Sequence, residues 1–579
     1  MTDRGNYWLS PNRLRLTRRR LVVAAGAAAA ALAAACGSKS GQGGAPAGSA
    51  AQGQPSAGTP QQGGTLAVTQ TTNPPTLDAQ RTTSFYGLLQ SGAVYSRLLQ
   101  WNSGPSADVI ENHDVLPDLA TSFESSDAIT WTVKLRPDAK YQNIPPVNGH
   151  AVEAEDVKQA FARALATESP FRASLDMLDP TQITTPDKAT VVFKLKYAYA
   201  PFQAILASAN YGWIYPREAA AGAYDPAKMM IGSGPFLFDK YTPDVAVEYK
   251  RNPDYYGKPL PYVNALKWTI IPDPAQQRAQ FTGGNLDVAG SGGSTAITSF
   301  DLESLKRDNP KAEIKKGDPQ AGQLLFVNLG DPSSPFQDVR LRRAFSMGID
   351  RATISKAVYN GDAVPQWYVP LALGKWALHQ DQLPADTAQW YKNDPANAKK
   401  LLQASGHEND QFKLIFVTGY LGPAYEQAAQ TTANMLQQAG LKVSLVQVDY
   451  TKDFIGGGKG IRYGNFDKNS IVFAGLTNLS DVDDYLSAYW RTGATSGLSK
   501  LSDPKLDDQI SKARTVVNAD ERVKAYQEIQ KYMADQAFGI CGFAVSNSYR
   551  ISQPRVQGYN YDLGYGSGLE SWAKLWLKS

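Results

Sequence analysis

The stretch Asp481-Val482-Asp483-Asp484 brings three carboxyl groups together within four residues. Two such groups could share general acid and general base roles if their surroundings shifted their pKa values apart. Nothing in the adjacent sequence supplies a nucleophile or a metal partner. Acids also favour the first turn of a helix, where the dipole is positive. The sequence therefore leaves two interpretations open, ligand-contacting acids or the N-terminal turn of a helix.

A second stretch with chemical potential is Gly232-Ser233-Gly234. A phosphate loop needs G-x-x-x-x-G-K-[ST] and a dinucleotide loop needs G-x-G-x-x-G, and this stretch completes neither motif. The residues that follow, PFLFDKY, alternate as a strand does, with Phe236 and Phe238 on one face. The glycines are therefore predicted to form a tight turn before a strand.

Other catalytic and metal-binding patterns are also missing from the sequence. There is no G-x-S-x-G nucleophile elbow. The four histidines, His113, His150, His379 and His407, lack the paired spacing of a metal site. We therefore expect no catalytic residue, no metal and no cofactor, and the chain is predicted not to be an enzyme.

Aromatic side chains are better candidates for a binding surface, because closed ligand pockets combine apolar area with a few polar groups. The prolines around Trp213 and Trp367 indicate loops, so we expect these two rings to be exposed. For every ring, packing in a core is the competing interpretation. The predicted ligand-binding residues are Phe85, Tyr86, Tyr211, Trp213, Trp367, Tyr368, Tyr420, Asp481, Asp483 and Trp490.

Residues 1–35 have the pattern of an export signal. Arg18, Arg19 and Arg20 precede an apolar run, residues 21–35, that is shorter than the ~20 residues of a membrane-spanning helix. The arginine pair is typical of twin-arginine export, and an ordinary secretory signal is the alternative. Cys36 resembles the lipid-bearing cysteine of bacterial lipoproteins, although Leu32 stands one position earlier than in their usual motif. The resemblance implies a lipid anchor on Cys36 and an extracytoplasmic location, periplasmic or at the cell surface.

Residues 36–64 are predicted to form a flexible tether, because they contain almost no bulky apolar side chain. The net charge of the chain is +4, and residues 1–35 account for +5 of it, which leaves −1 for the rest. This balance gives no reason to expect a nucleic-acid partner. The only other cysteine is Cys541, so a disulfide framework is excluded.

After residue 64 the sequence alternates between strand and helix patterns, and no repeat is visible. Strands are predicted for TLAVTQ, ITWTVKLRPD, ATVVFKLKYAYAPF, VAVEYKRN and ALKWTIIPD, and helices for AEDVKQAFARAL, QDVRLRRAFSMGIDRATISKAV and DERVKAYQEIQKYMADQ. Asp338 and Asp350 are placed to cap two short helices. A chain of 579 residues is too long for one core, so two or more lobes of mixed α/β structure are expected.

Four further segments occur in a fixed order: the stretch from VLPDLATSFESS to the AEDV helix, then IGSGPFLFDKY with RNPDYYG and GGNLD, then PFQDVRLRRAFSMGIDR, and finally LSDPKLDDQISKARTVVNADERVKAYQEIQKYM. Together they resemble the bacterial extracellular solute-binding proteins of family 5, the peptide, dipeptide and nickel receptors of ABC importers. The resemblance covers residue 64 to the end of the chain.

The resemblance implies an α/β, periplasmic-binding-protein-like fold with two lobes that close on a hinge, with an extra domain. Residues 65–95, 230–318 and 536–579 would form a discontinuous lobe I, residues 96–229 an inserted domain II, and residues 319–535 lobe III.

The implied function is that of a monomeric receptor that captures a peptide or peptide-like solute between its lobes and delivers it to an ABC transporter permease. Three alternatives remain: a receptor for a non-peptide solute such as an oligosaccharide, a sensory co-receptor, and an exported hydrolase.

Departures from the family pattern bear on the solute. Dipeptide- and oligopeptide-binding members hold the ammonium group with an aspartate whose position falls near residues 478–480, where this chain has no acid. Dipeptide receptors clamp the carboxylate with an arginine in a loop that matches VTGYLGPAYEQ, where Tyr420 is the nearest equivalent. Each missing partner would cost a charged dipeptide ~1.5–3 kcal/mol of binding free energy. The resemblance therefore implies that free dipeptides are disfavoured relative to longer or capped peptides.

Overall fold

The computed structural model describes most of the chain after residue 58. The described ranges are 59–82, 84–101, 115–172, 174–289, 301–317, 322–418, 422–456, 459–476, 481–494, 497–540, 543–546, 548–558 and 569–578. The predicted export signal, the tether as far as residue 58, and Cys36 lie outside these ranges. Within them, no helix combines the length and the apolar character needed to cross a bilayer.

Fifteen α-helices lie in the described ranges. They are Phe85–Leu88, Ser91–Val94, Ala154–Ala164, Phe202–Leu206, Arg217–Ala220, Pro274–Thr282, Asp301–Asp308, Val339–Met347, Arg351–Tyr359, Ala385–Ala388, Pro395–Ser405, Pro423–Gln438, Val482–Tyr489, Pro504–Ala513 and Ala519–Gln536. Short 3-10 turns and one π-helical turn, Tyr450–Ile455, connect them.

The longer strands form four sheets, each named here for later use. The first sheet has the order Thr65–Gln70, Ala265–Ile270, Ala246–Arg251, Phe236–Thr242, and the insert sheet has the order Ala120–Glu124, Thr130–Leu135, Thr190–Lys194, Ile183–Asp187. The linking sheet has the order Val288–Ala289, Ser548–Ser552, Glu313–Gly317, and the middle sheet has the order Lys442–Asp449, Gln411–Thr418, Ser470–Gly475, Gln323–Val327, Gly539–Ile540. Two-stranded ribbons pair Ala363–Gln366 with Phe543–Ser546, Ser96–Arg97 with Trp213–Ile214, Val556–Gln557 with Trp576–Leu577, and Leu99–Trp101 with Val115–Pro117.

Sequence patterns account for many of these elements. Strand Thr130–Leu135 buries alternate side chains, as the pattern predicts, since Trp131, Val133 and Leu135 are all buried. The predicted caps are confirmed: Asp338 accepts a hydrogen bond from the backbone N–H of Arg340, and Asp350 accepts one from that of Thr353. The strand predicted in ATVVFKLKYAYAPF is too long, because pairing ends at Lys194.

Gly232 and Gly234 are required by a close approach between two chain segments. The backbone N–H of Gly234 donates to the carbonyl of Val94 at 2.7 Å. A Cβ on Gly234 would lie 2.6 Å from that carbonyl, and one on Gly232 would overlap it. The backbone bends at residues 233–235, directly before the Phe236–Thr242 strand, as predicted. Neither glycine has a positive φ, so glycine is required here for the close approach and not for a left-handed backbone conformation.

Buried apolar side chains divide into two large cores and one small cluster. The first core draws on residues from Leu66 to Val288 and from Val556 to Leu575, and the second draws on Leu324 to Ile540. The small cluster, around Phe281 and Ile551, belongs to the linking sheet. The predicted lobe and domain boundaries remain a prediction. The first core includes residues of both the predicted lobe I and the predicted domain II, and Phe538 and Ile540 pack in the second core, beyond the predicted boundary at residue 535.

Candidate functional site

One edge of the middle sheet collects the ends of several strands. Gln411–Thr418, Lys442–Asp449 and Ser470–Gly475 run parallel, so their carboxyl ends lie at the same edge. Gln323 pairs with Gly475 in an antiparallel ladder, and Ile540 pairs antiparallel with Leu325, so the chain enters and leaves the second core at this edge as well. We call it the crossing edge. In open α/β sheets the crevice outside the carboxyl ends of the strands is the usual place for a ligand.

Tyr86 of the first core lies near Tyr450 at the crossing edge. Thr71, at the carboxyl end of strand Thr65–Gln70, shares a hydrogen bond with the hydroxyl of Tyr86. Burial raises the pKa of Tyr86, the hydrogen bond with Thr71 opposes this shift, and the nearby Tyr450 phenol adds to it. Tyr450 directly follows strand Lys442–Asp449 and is 40% exposed, so it offers aromatic surface at the crossing edge.

A second contact between the cores is polar, and we call it the tyrosine–carboxylate junction. Its members from the first core are Asp176, Tyr197, Tyr199 and Tyr211, and those from the second core are Asp483, Asp484, Arg491 and Arg514. The hydroxyl of Tyr199 donates to Asp483 at 2.9 Å, and that of Tyr211 lies 2.9 and 2.8 Å from the two oxygens of Asp484. Arg491 pairs with Asp176 at 2.9 Å. Polar contacts of this kind are typical of interfaces between domains that move relative to each other.

The acids of the junction lie at the start of helix Val482–Tyr489. Asp481 is the N-cap and accepts a hydrogen bond from the N–H of Asp483 at 2.8 Å. Burial, with the charge of Asp483 next in effect, raises the pKa of Asp481 to about 6. Burial, and after it the negative charge of Asp481, raises the pKa of Asp484 to about 8. For Asp481 the helix-turn interpretation is confirmed as a structural role, and a ligand contact remains a prediction.

Asp483 is 1% exposed and is satisfied entirely by neighbouring side chains. Arg514 Nε donates to both of its oxygens at 3.0 Å, and the hydroxyl of Tyr526 donates at 3.0 Å. Burial lowers the pKa of the Arg514 guanidinium, but the interactions with Asp483 and Tyr199 raise it by more, so this pKa lies above its ordinary value. In this conformation the hydrogen bonds of the Asp483 carboxylate are therefore made within the junction.

The expected exposure of Trp213 and Trp367 is wrong, since each is 1% exposed. The indole of Trp213 donates to the carbonyl of Ala209 at 2.7 Å, and Arg97 lies over its ring. Trp367 packs edge-on against Tyr391 at 4.4 Å between ring centroids. The prolines near Trp367 correctly indicate irregular backbone, whereas Trp213 lies in the short strand that pairs with Ser96–Arg97. Both rings are buried beneath other elements.

Tyr368 and Trp490 are also buried, at 0% exposure each, and they pack edge-on at 5.0 Å between ring centroids. The hydroxyl of Tyr368 donates to the carbonyl of Met533 at 2.7 Å. Phe85 begins a short helix beside Tyr86, and Tyr420 lies outside the described residues. A role of these residues in ligand binding remains a prediction.

Sequence reasoning missed several residues that join the two cores. Tyr199 and Arg514 meet around Asp483, although 315 residues separate them along the chain, and nothing local marks either one. Tyr450 could have been found, because it directly follows a predictable strand whose carboxyl end reaches the crossing edge.

One group of possible metal ligands occurs among the described residues: atoms of His150, Asp156 and Glu218 lie within 4.8 Å of one another. Arg217 occupies this group, since its Nε donates to Asp156 at 3.0 Å and its Nη2 donates to Glu153 at 3.0 Å. A guanidinium in this position supplies the positive charge that a metal would bring. The group is therefore best described as an ion-pair network at the start of helix Ala154–Ala164.

Two sequence comparisons give matches over most of the chain. Residues 114–497 match the profile described as bacterial extracellular solute-binding proteins, family 5, middle region. The "Probable di/tripeptide-binding protein 5" of Pseudomonas aeruginosa is 26% identical over 501 residues, which cover 80% of this chain and 90% of that protein.

Solved structures with the same fold include receptors for different solutes. The ABC transporter-associated periplasmic binding protein DppA from Helicobacter pylori, in complex with the peptide STSA, aligns with a TM-score of 0.75 at 21% identity and covers 90% of this chain and 99% of its own. The binding protein AgaA from A. tumefaciens R10, in complex with agropinic acid, aligns with a TM-score of 0.73 at 22% identity and covers 89% of this chain and 99% of its own. The α/β, two-lobed periplasmic-binding-protein fold is therefore confirmed.

Proposed function

The chain belongs to family 5 of the bacterial extracellular solute-binding proteins, and on that premise we propose that it is the receptor of an ABC importer for peptides or peptide-like solutes. It captures its solute at the crossing edge of the middle sheet by closing two lobes over it. It then delivers the solute to a membrane permease. The family is defined by solute binding, and we propose that this chain likewise has no catalytic activity.

The observation that carries this proposal is the way the two apolar cores are joined. Each core buries its own apolar side chains, and the chain passes between them twice at one sheet edge. The remaining contacts that we identify between the cores are polar: they join phenols, carboxylates and guanidiniums, and the backbone N–H of Ala200 donates to the carbonyl of Arg514 at 2.9 Å. Separating such surfaces exposes little apolar area, so the cores can open and close about the two crossings at modest cost.

The proposed solute site lies between Tyr86 of the first core and Tyr450 of the second, at the carboxyl ends of strands from both cores. Of the other predicted ligand-binding residues, Phe85 is adjacent to Tyr86 in the sequence, and Tyr420 is the closest in sequence to Tyr450. A peptide is favoured as the solute because the Pseudomonas aeruginosa relative carries the name of a di/tripeptide-binding protein and the Helicobacter pylori structure holds a peptide. Free dipeptides stay disfavoured because the sequence lacks the expected acid and arginine.

A non-peptide solute is the second candidate. It is favoured by AgaA, whose structure holds agropinic acid on the same fold. A sensory co-receptor would use the same closure without transport, and an exported hydrolase would require catalytic groups that the sequence patterns do not supply. We rank both of these behind transport.

We further propose that the receptor acts as a monomer outside the cytoplasm, held to the membrane by a lipid on Cys36. The tether of residues 36–64 would let the lobes turn freely, with a root-mean-square span of roughly 30 Å. The family description places such proteins outside the cell. The partners that follow are the permease subunits of one importer.

Native mass spectrometry of the gently purified protein tests this proposal by detecting any solute that is carried through purification. Calorimetric titration with dipeptides, tripeptides, longer peptides and N-acetylated peptides then ranks the classes. We expect longer or capped peptides to bind more tightly than free dipeptides. Failure of every peptide to bind, together with a co-purified non-peptide solute, would replace the peptide proposal with the second candidate.

A further inference from the structure

Asp484 and Tyr211 make an unusual pair across the tyrosine–carboxylate junction. The phenol oxygen lies 2.9 Å from one carboxyl oxygen and 2.8 Å from the other. An ionised Asp484 would share the single phenol proton between its two oxygens, whereas a protonated Asp484 would accept one of these hydrogen bonds and donate the other. Asp484 is 7% exposed and lies close to Asp481 and Asp483, and both its burial and these two acids disfavour a further negative charge. The surroundings therefore favour a protonated carboxyl group paired with the phenol.

The surrounding charges leave Asp484 without a cation of its own. The titratable and charged groups of this region come from both cores. The second core contributes Asp481 and Asp483 at the start of the same helix, Arg514 at the end of helix Pro504–Ala513, and Arg522 and Tyr526 from helix Ala519–Gln536. The first core contributes Asp176, Tyr197, Tyr199 and Tyr211. Arg514 is engaged by Asp483, and Arg522 is the first counter-charge of Asp481. Arg491 is engaged by Asp176. Among the described side chains, the hydrogen-bond partner of Asp484 is the neutral phenol of Tyr211.

We propose that closing the two cores onto each other takes up one proton from solvent, which is held between Asp484 and Tyr211, so that falling pH favours the closed receptor. The proton bonds to a carboxyl oxygen of Asp484 on closure and returns to water on opening, when the carboxylate is hydrated. This inference rests on the proposed hinge closure and adds a second ligand, the proton, to the solute.

The direction of the pH effect follows from the two states of Asp484. In the closed junction its pKa is raised to about 8 by burial, and in the open state a hydrated aspartate would titrate near ~4. Between these values the closed form holds one more proton than the open form. The closure constant therefore falls as pH rises through this window and levels off above the raised pKa. Between pH 6 and pH 8 the expected decrease is roughly 50-fold.

Small-angle X-ray scattering of the purified protein between pH 5 and pH 9, without any added solute, tests the proposal. We expect the radius of gyration to increase as pH rises toward 8. In Asp484→Asn the amide reproduces the protonated carboxyl group, since it accepts from the phenol and donates to it. This variant is expected to stay compact above pH 7, with only the smaller change from Asp481 near pH 6. Asp508→Asn, an exposed acid on the neighbouring helix, is the control and should follow the wild-type profile.

Infrared titration provides a second measurement that does not depend on the size of the opening motion. The wild-type protein should show the carbonyl band of a protonated carboxyl group at pH 7, and Asp484→Asn should lack it. A radius of gyration independent of pH, an unchanged profile in Asp484→Asn, or the absence of the band in the wild-type protein would each overturn the proposal. Because no solute is present, such a result would leave the proposed receptor function standing, which peptide titration tests separately.

Discussion

Arg514 and Asp483 form a buried ion pair that lies wholly on one side of the contact between the two cores. Arg514 Nε is 3.0 Å from both oxygens of Asp483, and the two side chains are 5% and 1% exposed. From the first core, Tyr199 donates a phenol hydrogen bond to Asp483, the Tyr197 hydroxyl accepts one from Arg514 Nη1 at 3.2 Å, and Asp176 lies 3.9 Å from the same nitrogen. Separation of the cores would break these contacts and the partly exposed Arg491–Asp176 pair, but it would leave Asp483 and Arg514 paired. The proposed motion therefore avoids the large cost of isolating a buried charge.

The ion pair itself should be essential for stability. Asp483→Asn removes the negative charge and leaves the Arg514 guanidinium buried without a counter-charge. We expect the free energy of unfolding to fall by about 3 kcal/mol or more, measured by denaturant titration. Asp508→Asn, which changes an exposed acid, should alter it by less than ~0.5 kcal/mol. A loss below ~1 kcal/mol in Asp483→Asn would contradict this role.

Two tyrosines donate to the same carboxylate from opposite sides and should behave differently. Tyr199→Phe removes a contact between the cores, so we expect solute affinity to fall about fivefold to tenfold, measured by calorimetry with a peptide that binds the wild-type protein. Tyr526→Phe removes a donor from within the second core and should lower the melting temperature while leaving affinity within about twofold. Equal effects of both variants on affinity would argue against a closing junction.

Tyr450 should contribute to solute binding without supporting the fold. It is 40% exposed at the crossing edge, so Tyr450→Ala should lower peptide affinity at least fivefold, by roughly 1 kcal/mol or more, with little change in melting temperature. Tyr255→Ala is a matched control, because Tyr255 follows the end of strand Ala246–Arg251 that is remote from the crossing edge. Unchanged affinity in Tyr450→Ala would place the solute elsewhere.

The close approach at Gly232 gives a steric prediction. A methyl group there would overlap the Val94 carbonyl, so Gly232→Ala should destabilise the first core by about 1–3 kcal/mol or more, measured by thermal unfolding. Gly283→Ala is the control, because Gly283 has a helical φ of −74° and the nearest neighbour of its Cβ, the Ala279 carbonyl, would lie at 3.2 Å, a much milder contact than the overlap at Gly232. If both variants melt like the wild type, the packing of Gly232 against Val94 is not as tight as described.

The lipid anchor is tested in cells by fractionation. Cys36→Ser should move the protein from the membrane fraction to the soluble fraction, because it removes the only thiol near the predicted cleavage site. Cys541→Ser keeps that thiol and should leave the distribution unchanged. Retention of Cys36→Ser on membranes would rule out this anchor.

Local sequence patterns predict many of the helices and strands, whereas the contacts between the two cores depend on residues that are far apart in the sequence. Alternating apolar residues indicated strand Thr130–Leu135, and Asp338 and Asp350 marked two helix starts, because each signal lies within a few residues. The strand beyond Lys194 was over-extended, since Tyr197 and Tyr199 leave the sheet to meet side chains about 300 residues away. Such partners follow from the folding of two separate cores, which no local pattern contains.

The pairing of Leu325 with Ile540 has a consequence for how such receptors diversify. It sets the first and last strands of the second core side by side, so the whole segment between the two crossings begins and ends at one place. A segment with adjacent ends and its own core meets the geometric condition for insertion into a host domain. Recombination at these two points could therefore exchange one half of the proposed solute site between relatives while the other half, and the proposed lipid anchor, stay unchanged.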